Sequence, residues 1–174
     1  MGRSNTYKAN EYDSFLTTGY VENNHHYFMD INGNRRADSQ IGITTSMFVH
    51  PAYMDLSSKD KAVYQLALYQ YRNAPYKPSD KRDDEKYKGK SGKRYIFLNE
   101  NLAVNVFRVC KSNATLRKCL KSLAEHGFLI PVERPNHQEY IYELSSAWKE
   151  YAPGMIYQET NTNKHTWEWV RVQY

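Results

Sequence analysis

A single apolar stripe constrains this chain more than any other feature. Leu116, Cys119, Leu120 and Leu123 recur at i, i+3, i+4 and i+7 without a gap, the period that gathers side chains on one face of an α-helix. Ser112 or Asn113 stands where an N-cap belongs, and Gly127 follows as a stop signal, with His126 in the last turn. A helix marked in this way buries its stripe against other elements, so it belongs to a packed domain. The 174 residues suffice for one such domain with decorated ends. The face left outward carries Asn113, Ala114, Arg117, Lys118 and Lys121.

Charge follows the same segment. The formal net charge is +5, and its distribution says more than its size. From Asn101 to Ala124 five basic residues (Arg108, Lys111, Arg117, Lys118, Lys121) stand without an acid. Lys77 to Arg94 holds eight basic and four acidic residues, and the rest of the chain is net negative. No apolar run approaches the roughly 20 residues of a membrane span, and MGRSNTYKANEYDSF lacks the apolar stretch of a secretory signal. A cytoplasmic protein without a membrane partner is expected. The two cysteines, Cys110 and Cys119, read as reduced thiols at helical, apolar-facing positions rather than as a disulfide framework.

Other elements can be placed around the stripe. Tyr27 to Ile31 reads as a strand entering a tight turn at Asn32-Gly33-Asn34, and Ile41 to Val49 as a second extended segment. A helix is expected from Ser57, its N-cap, with Asp60 in the first turn and Val63, Leu66 and Ala67 inward, ending near Asn73. Pro75 to Gly92 is a charged loop without apolar residues, expected to be mobile. Arg94 to Leu98 reads as a short strand. Asn99 then caps a helix with Leu102, Ala103, Val106 and Phe107 inward, and a break at Val109-Cys110-Lys111 leads to the striped helix. Beyond Gly127, Phe128–Glu133 and Glu139–Leu144 read as two strands around a polar turn. A short helix near Ala147–Tyr151 and an aromatic strand, Trp167–Tyr174, follow. The domain organisation expected is an N-terminal extension over 1–40, a main domain over 41–151 with its mobile basic loop at 75–92, and a C-terminal extension over 152–174.

The order helix, strand, helix, turn, helix, β-hairpin, carried by FLNENLAVNVFRVCKSNATLRKCLKSLAEHGFLIPVE, resembles the winged helix-turn-helix family of DNA-binding domains. The Leu-Ala pair, the Ser-x-x-Thr opening, the Leu spacing, the closing Gly and the apolar start of the wing all match. Val109-Cys110-Lys111 replaces the family's more usual Leu-Gly-Val/Ile turn, and the charged insertion before the strand is a second departure. Upstream, MFVHPAYMDLSSKDKAVYQLALY looks like the winged-helix modules of plasmid and phage replication initiators. The resemblance spans residues 44–150 and implies an α+β winged helix-turn-helix fold, with an N-terminal extension and a C-terminal aromatic strand. It also implies double-stranded DNA as partner, in replication initiation or transcription control of a mobile element.

The residues support that expectation chemically. A helix N-terminus offers free N–H groups and partial positive charge to phosphate, and the Ser112 and Thr115 hydroxyls add donors. Arg117 suits a guanine edge and Asn113 an adenine edge. Arg108, Lys111, Lys118 and Lys121 suit phosphates, which position without specifying. Arg134 and His137 fall at the wing tip, where the family touches the minor groove or the DNA backbone. Two other classes stay open: single-stranded DNA stacking on tyrosines such as Tyr140 and Tyr142, and a protein–protein assembly module. Trp167, Trp169 and Tyr174 either close the domain's own sheet or form an oligomer contact, such as a homodimer.

No cofactor, metal or catalytic group is expected. Asp30 to Asp38 has its Gly at the fourth place and Ile41 where a calcium loop needs its bidentate acid. Cys110, Cys119 and His126 lack zinc spacing, and the histidines are scattered with no nucleophile beside them.

Overall fold

A computed structural model describes residues 20–22, 25–29, 33, 35–37, 43–73, 95–133 and 139–173. The chain divides into two compact units, Met1–Gly42 and Ile43–Tyr174. Together their elements make a mixed α+β protein with small antiparallel sheets.

In the first unit β1 (Tyr20–Glu22), β2 (His25–Met29) and β3 (Arg35–Ala37) form an antiparallel meander in the order β1-β2-β3. Tyr27 pairs with Tyr20 on one side and Ala37 on the other. Gly33, between β2 and β3, has φ +76°, the left-handed conformation that the Asn-Gly turn was expected to need.

The second unit opens with a correction. Of the extended segment expected over Ile41–Val49, residues 45–48 are helical: α1 spans Thr45–Phe48. Thr44 Oγ1 accepts the Met47 N–H at 3.3 Å, and this local cap competes with strand pairing. His50 Nδ1 likewise accepts the Ala52 N–H at 3.2 Å, opening α2 (Pro51–Met54) with Pro51 at its first turn. α3 (Ser58–Asn73) then starts on a reciprocal cap. The Ser57 N–H donates to Asp60 Oδ2 at 3.0 Å, and the Asp60 N–H donates to Ser57 Oγ at 3.2 Å. Val63, Tyr64, Leu66 and Ala67 are buried along it.

The loop over 75–92 lies outside the described residues. β4 (Ile96–Asn99) pairs with β6 (Glu139–Leu144), which pairs with β5 (Leu129–Glu133), giving the antiparallel order β4-β6-β5. The period of two divides β4: Ile96 and Leu98 join the main core, whereas Tyr95 and Phe97 pack with Ile141 and Val132 in a second cluster. The β5–β6 register shifts between Pro131 and Glu133, a bulge.

Two further expectations are corrected between β4 and the striped helix. Asn99 ends β4, paired with Glu139, and Asn101 holds the cap position of the next helical turn, without a side-chain cap bond. The helix expected after it is one π-helical turn, Leu102–Val106, closed by the Phe107 N–H donating to the Leu102 carbonyl at 2.8 Å. The wider turn breaks the i, i+4 pattern, so Ala103 is buried but Val106 is 39% exposed. Cys110 is buried, though in the following turn and not in a helix. The N–H groups of Val109 and Cys110 both donate to the Ala103 carbonyl, at 2.9 and 3.2 Å.

α4 (Asn113–Glu125) follows the sequence pattern closely. Ser112 is its N-cap, accepting the Thr115 N–H at 3.3 Å, and Leu116, Cys119, Leu120 and Leu123 are all buried. Its end closes with two bonds, Gly127 N–H to Ala124 O and Phe128 N–H to Leu123 O, each 2.9 Å, with Gly127 at φ +76°. A Cβ on Gly127 would stand 2.7 Å from the Trp148 nitrogen and 2.9 Å from Trp169 Cζ2. Hydrogen is thus the largest side chain the packing admits there.

A 3-10 turn, Ala147–Glu150, presents Trp148 to stack on Phe128 with centroids 5.8 Å apart. The aromatic strand expected over Trp167–Tyr174 is β8 (Thr166–Arg171), and Tyr174 lies outside the described residues. Its partner, β7 (Met155–Asn161), was not anticipated. The hairpin is held to the rest of the unit by rings: Tyr151 meets Trp169 edge-on at 5.6 Å and stacks on His126 at 5.2 Å. No helix among the described residues is long and apolar enough to cross a membrane.

Candidate nucleic-acid interface

α4 sets the candidate surface. With its stripe fixed in the core, Ala114, Arg117, Lys118 and Lys121 are exposed, as are Lys111 and Ser112 at the preceding turn. Asn113 is the exception among the residues expected outward. It is half-buried and its Oδ1 is buried without a hydrogen-bond partner. Asn113 lies three residues before Leu116, so it sits at the edge of the buried stripe rather than opposite it.

Thr115 is half-buried as well, and its Oγ1 lies 3.1 Å from Ser112 Oγ. One of these hydroxyls donates to the other, leaving a single O–H free for an external acceptor. The last outward cation, Lys121, is 77% exposed and its ammonium lies 3.6 Å from Glu125 Oε1, an i, i+4 pair. The acid-free run therefore ends beside an acid that neutralises its final member.

Arg108 occupies the turn in a distinctive conformation. It is exposed, with φ 53°, the left-handed region that costs an L-residue with a side chain ~1–2 kcal/mol. An arginine here holds a backbone conformation that glycine adopts without strain. Backbone strain of this kind collects at functional positions, where a side chain must be aimed.

Residues that the sequence reading missed flank one side of α4. Arg117, Lys121 and Glu125 form one wall of a cleft of about 630 Å³, with Gln158, Glu159 and Trp167 of the hairpin among its other lining residues. Glu159 accepts from or pairs with His165, whose Nδ1 lies 3.0 Å from Oε1. Tyr142, offered as a base-stacking residue, is 7% exposed and belongs to the main core. Arg134 and His137, at the expected wing tip, lie outside the described residues.

The remaining reactive groups are tied to the fold. Burial pushes the Cys119 thiol up to about 12, with Asp60 and Cys110 adding to the shift, and burial also raises Cys110. Both thiols are free and protonated at neutral pH. His50 caps α2 and meets Trp148 edge-on, while His126 Nδ1 lies 2.8 Å from the Ser122 carbonyl. Among the described residues no three His, Cys, Asp or Glu side chains converge as metal ligands. Compared with known proteins, the chain matches no family model, no curated protein and no solved structure.

Proposed function

We propose that this chain is a sequence-specific double-stranded DNA-binding protein. In this reading the second unit is a winged helix-turn-helix and α4 is its recognition helix. One observation carries the reading: Arg117, Lys118 and Lys121 stand outward on a helix whose opposite face is an unbroken buried stripe. The sheet order β4-β6-β5, with α4 entering β5, agrees with a wing built from β5 and β6. Arg117 reads a base edge, while Arg108, Lys111 and Lys118 contact phosphates. The likeness to replication-initiator modules points to replication initiation or transcription control of a plasmid, phage or other mobile element. No catalytic step is part of the proposal.

Selection from a random duplex library, run beside single strands, tests it. The expected result is an enriched duplex sequence, bound with a log K against log salt slope of about −3, about 0.9 for each of the three phosphate-contacting cations. Arg117→Ala should then cost about 1–3 kcal/mol on the enriched site and relax one base pair. Enrichment of single strands over duplex, or an unchanged site preference in Arg117→Ala, refutes the assignment.

A further inference from the structure

Asp60 is 7% exposed, in the first turn of α3, and its contacts reach past the helix that it caps. Oδ2 accepts the Ser57 N–H at 3.0 Å and also the Ser122 hydroxyl at 3.1 Å. Capping needs only the Ser57 contacts; the bond to Ser122 of α4 is left without a role by capping alone.

We infer that Asp60 is a positioning residue that fixes the rotation of α4 about its own axis and so sets which base edges the outward side chains meet. The inference rests on the DNA-binding reading above. Apolar packing of the Leu stripe is non-directional, whereas a hydrogen bond to a carboxylate is short and directional. A hydroxyl on a helix sits ~5 Å from the axis, outside the Cα cylinder, so a 20° rotation displaces it by roughly 1.7 Å. That breaks a 3.1 Å hydrogen bond. The same rotation carries an arginine tip, ~8 Å from the axis, through about 3 Å, and a two-point contact to guanine is lost. A lysine ammonium on its flexible stem follows a phosphate through such a shift. Loosening this clamp therefore erodes specificity before affinity.

Ser122→Ala removes one bond and leaves the cap, the carboxylate and the core stripe in place; Ser122→Thr keeps the hydroxyl. The full chain is titrated by fluorescence anisotropy against the duplex that wild type selects and against a scrambled duplex. Ser122→Ala should lower the ratio of the two affinities about tenfold, within the range one lost base contact spans. Scrambled-duplex affinity and salt slope should hold, and Ser122→Thr should restore the ratio. An unchanged ratio, or equal loss on both duplexes, overturns the inference. If wild type selects no sequence, the DNA reading itself falls, and amide exchange then decides the role of Asp60 alone. Faster exchange along α4 in Ser122→Ala with α3 unaltered supports the clamp, and unchanged exchange in α4 refutes it.

Discussion

Replacing Arg108 separates two things that one residue does in opposite directions. Its φ of 53° is a conformation that costs a side-chain-bearing residue ~1–2 kcal/mol, while glycine adopts it freely. Glycine returns ~0.4–1 kcal/mol of that gain through the greater entropy of the unfolded chain. Arg108→Gly should therefore stabilise the protein by about 0.5–1 kcal/mol. Arg108→Ala keeps the backbone strain and loses the same guanidinium, so it should fall about 1 kcal/mol below the glycine variant. For a chain of this size that difference is a melting temperature about 2–4 °C higher for glycine than for alanine. Binding should not distinguish the two variants. Each loses one phosphate contact, so the slope of log K against log salt becomes shallower by about 0.9 in both. Thermal melts followed by tryptophan fluorescence report on the second unit alone, since Trp148, Trp167 and Trp169 all lie in it. A glycine variant no more stable than the alanine variant refutes the strain argument. Salt slopes equal to wild type refute the contact.

Two more outcomes follow from packing and titration. Gly127→Ala should destabilise by about 2–4 kcal/mol, because its Cβ meets backbone atoms at 2.7 and 2.9 Å in addition to the cost of positive φ. Gly154→Ala, at φ +83° with open space around it, should cost only about 1 kcal/mol; equal urea midpoints for the two would show that the steric account is wrong. Burial, with Asp60 and Cys110, raises Cys119 from 9.0 to about 12, so the folded state holds this proton more tightly than the unfolded one. Its contribution is complete below pH 9 and is lost as pH rises from 9 toward 12, at no more than about 1.4 kcal/mol per pH unit. Cys119→Ala should flatten the stability loss between pH 9 and 10, a window below the Tyr64 phenol, which burial and Tyr53 push up to about 12. Parallel wild-type and variant slopes there would remove Cys119 from the alkaline transition.

What was legible in the sequence is what local chemistry decides. The stripe of α4, its Ser112 cap and its Gly127 stop are set within 16 consecutive residues, and each signal agrees with the others. The Ser57–Asp60 cap of α3 is local in the same way. The π-helical turn is not: it closes by the Phe107 N–H reaching the Leu102 carbonyl, five residues back, a spacing that the period of 3.6 does not encode. β7 was hidden because Gln158, Glu159 and Thr160 break any clean alternation, and the strand exists by pairing with β8. With β7 unread, the acidic and aromatic flank of α4 was unread too. Asn113 shows the same limit at a single residue. Its place opposite the core was inferred from the stripe's centre, while its burial is decided at the stripe's edge.

The outer edge of the β4-β6-β5 sheet has a consequence for how this molecule meets its neighbours. β5 is an edge strand, and Pro131 interrupts its row of N–H donors just where the bulge bends the strand. An incoming strand from another chain would find a missing donor and a twisted ladder, so backbone zippering along β5 is closed off. Along this edge, contact with another chain is left to side chains.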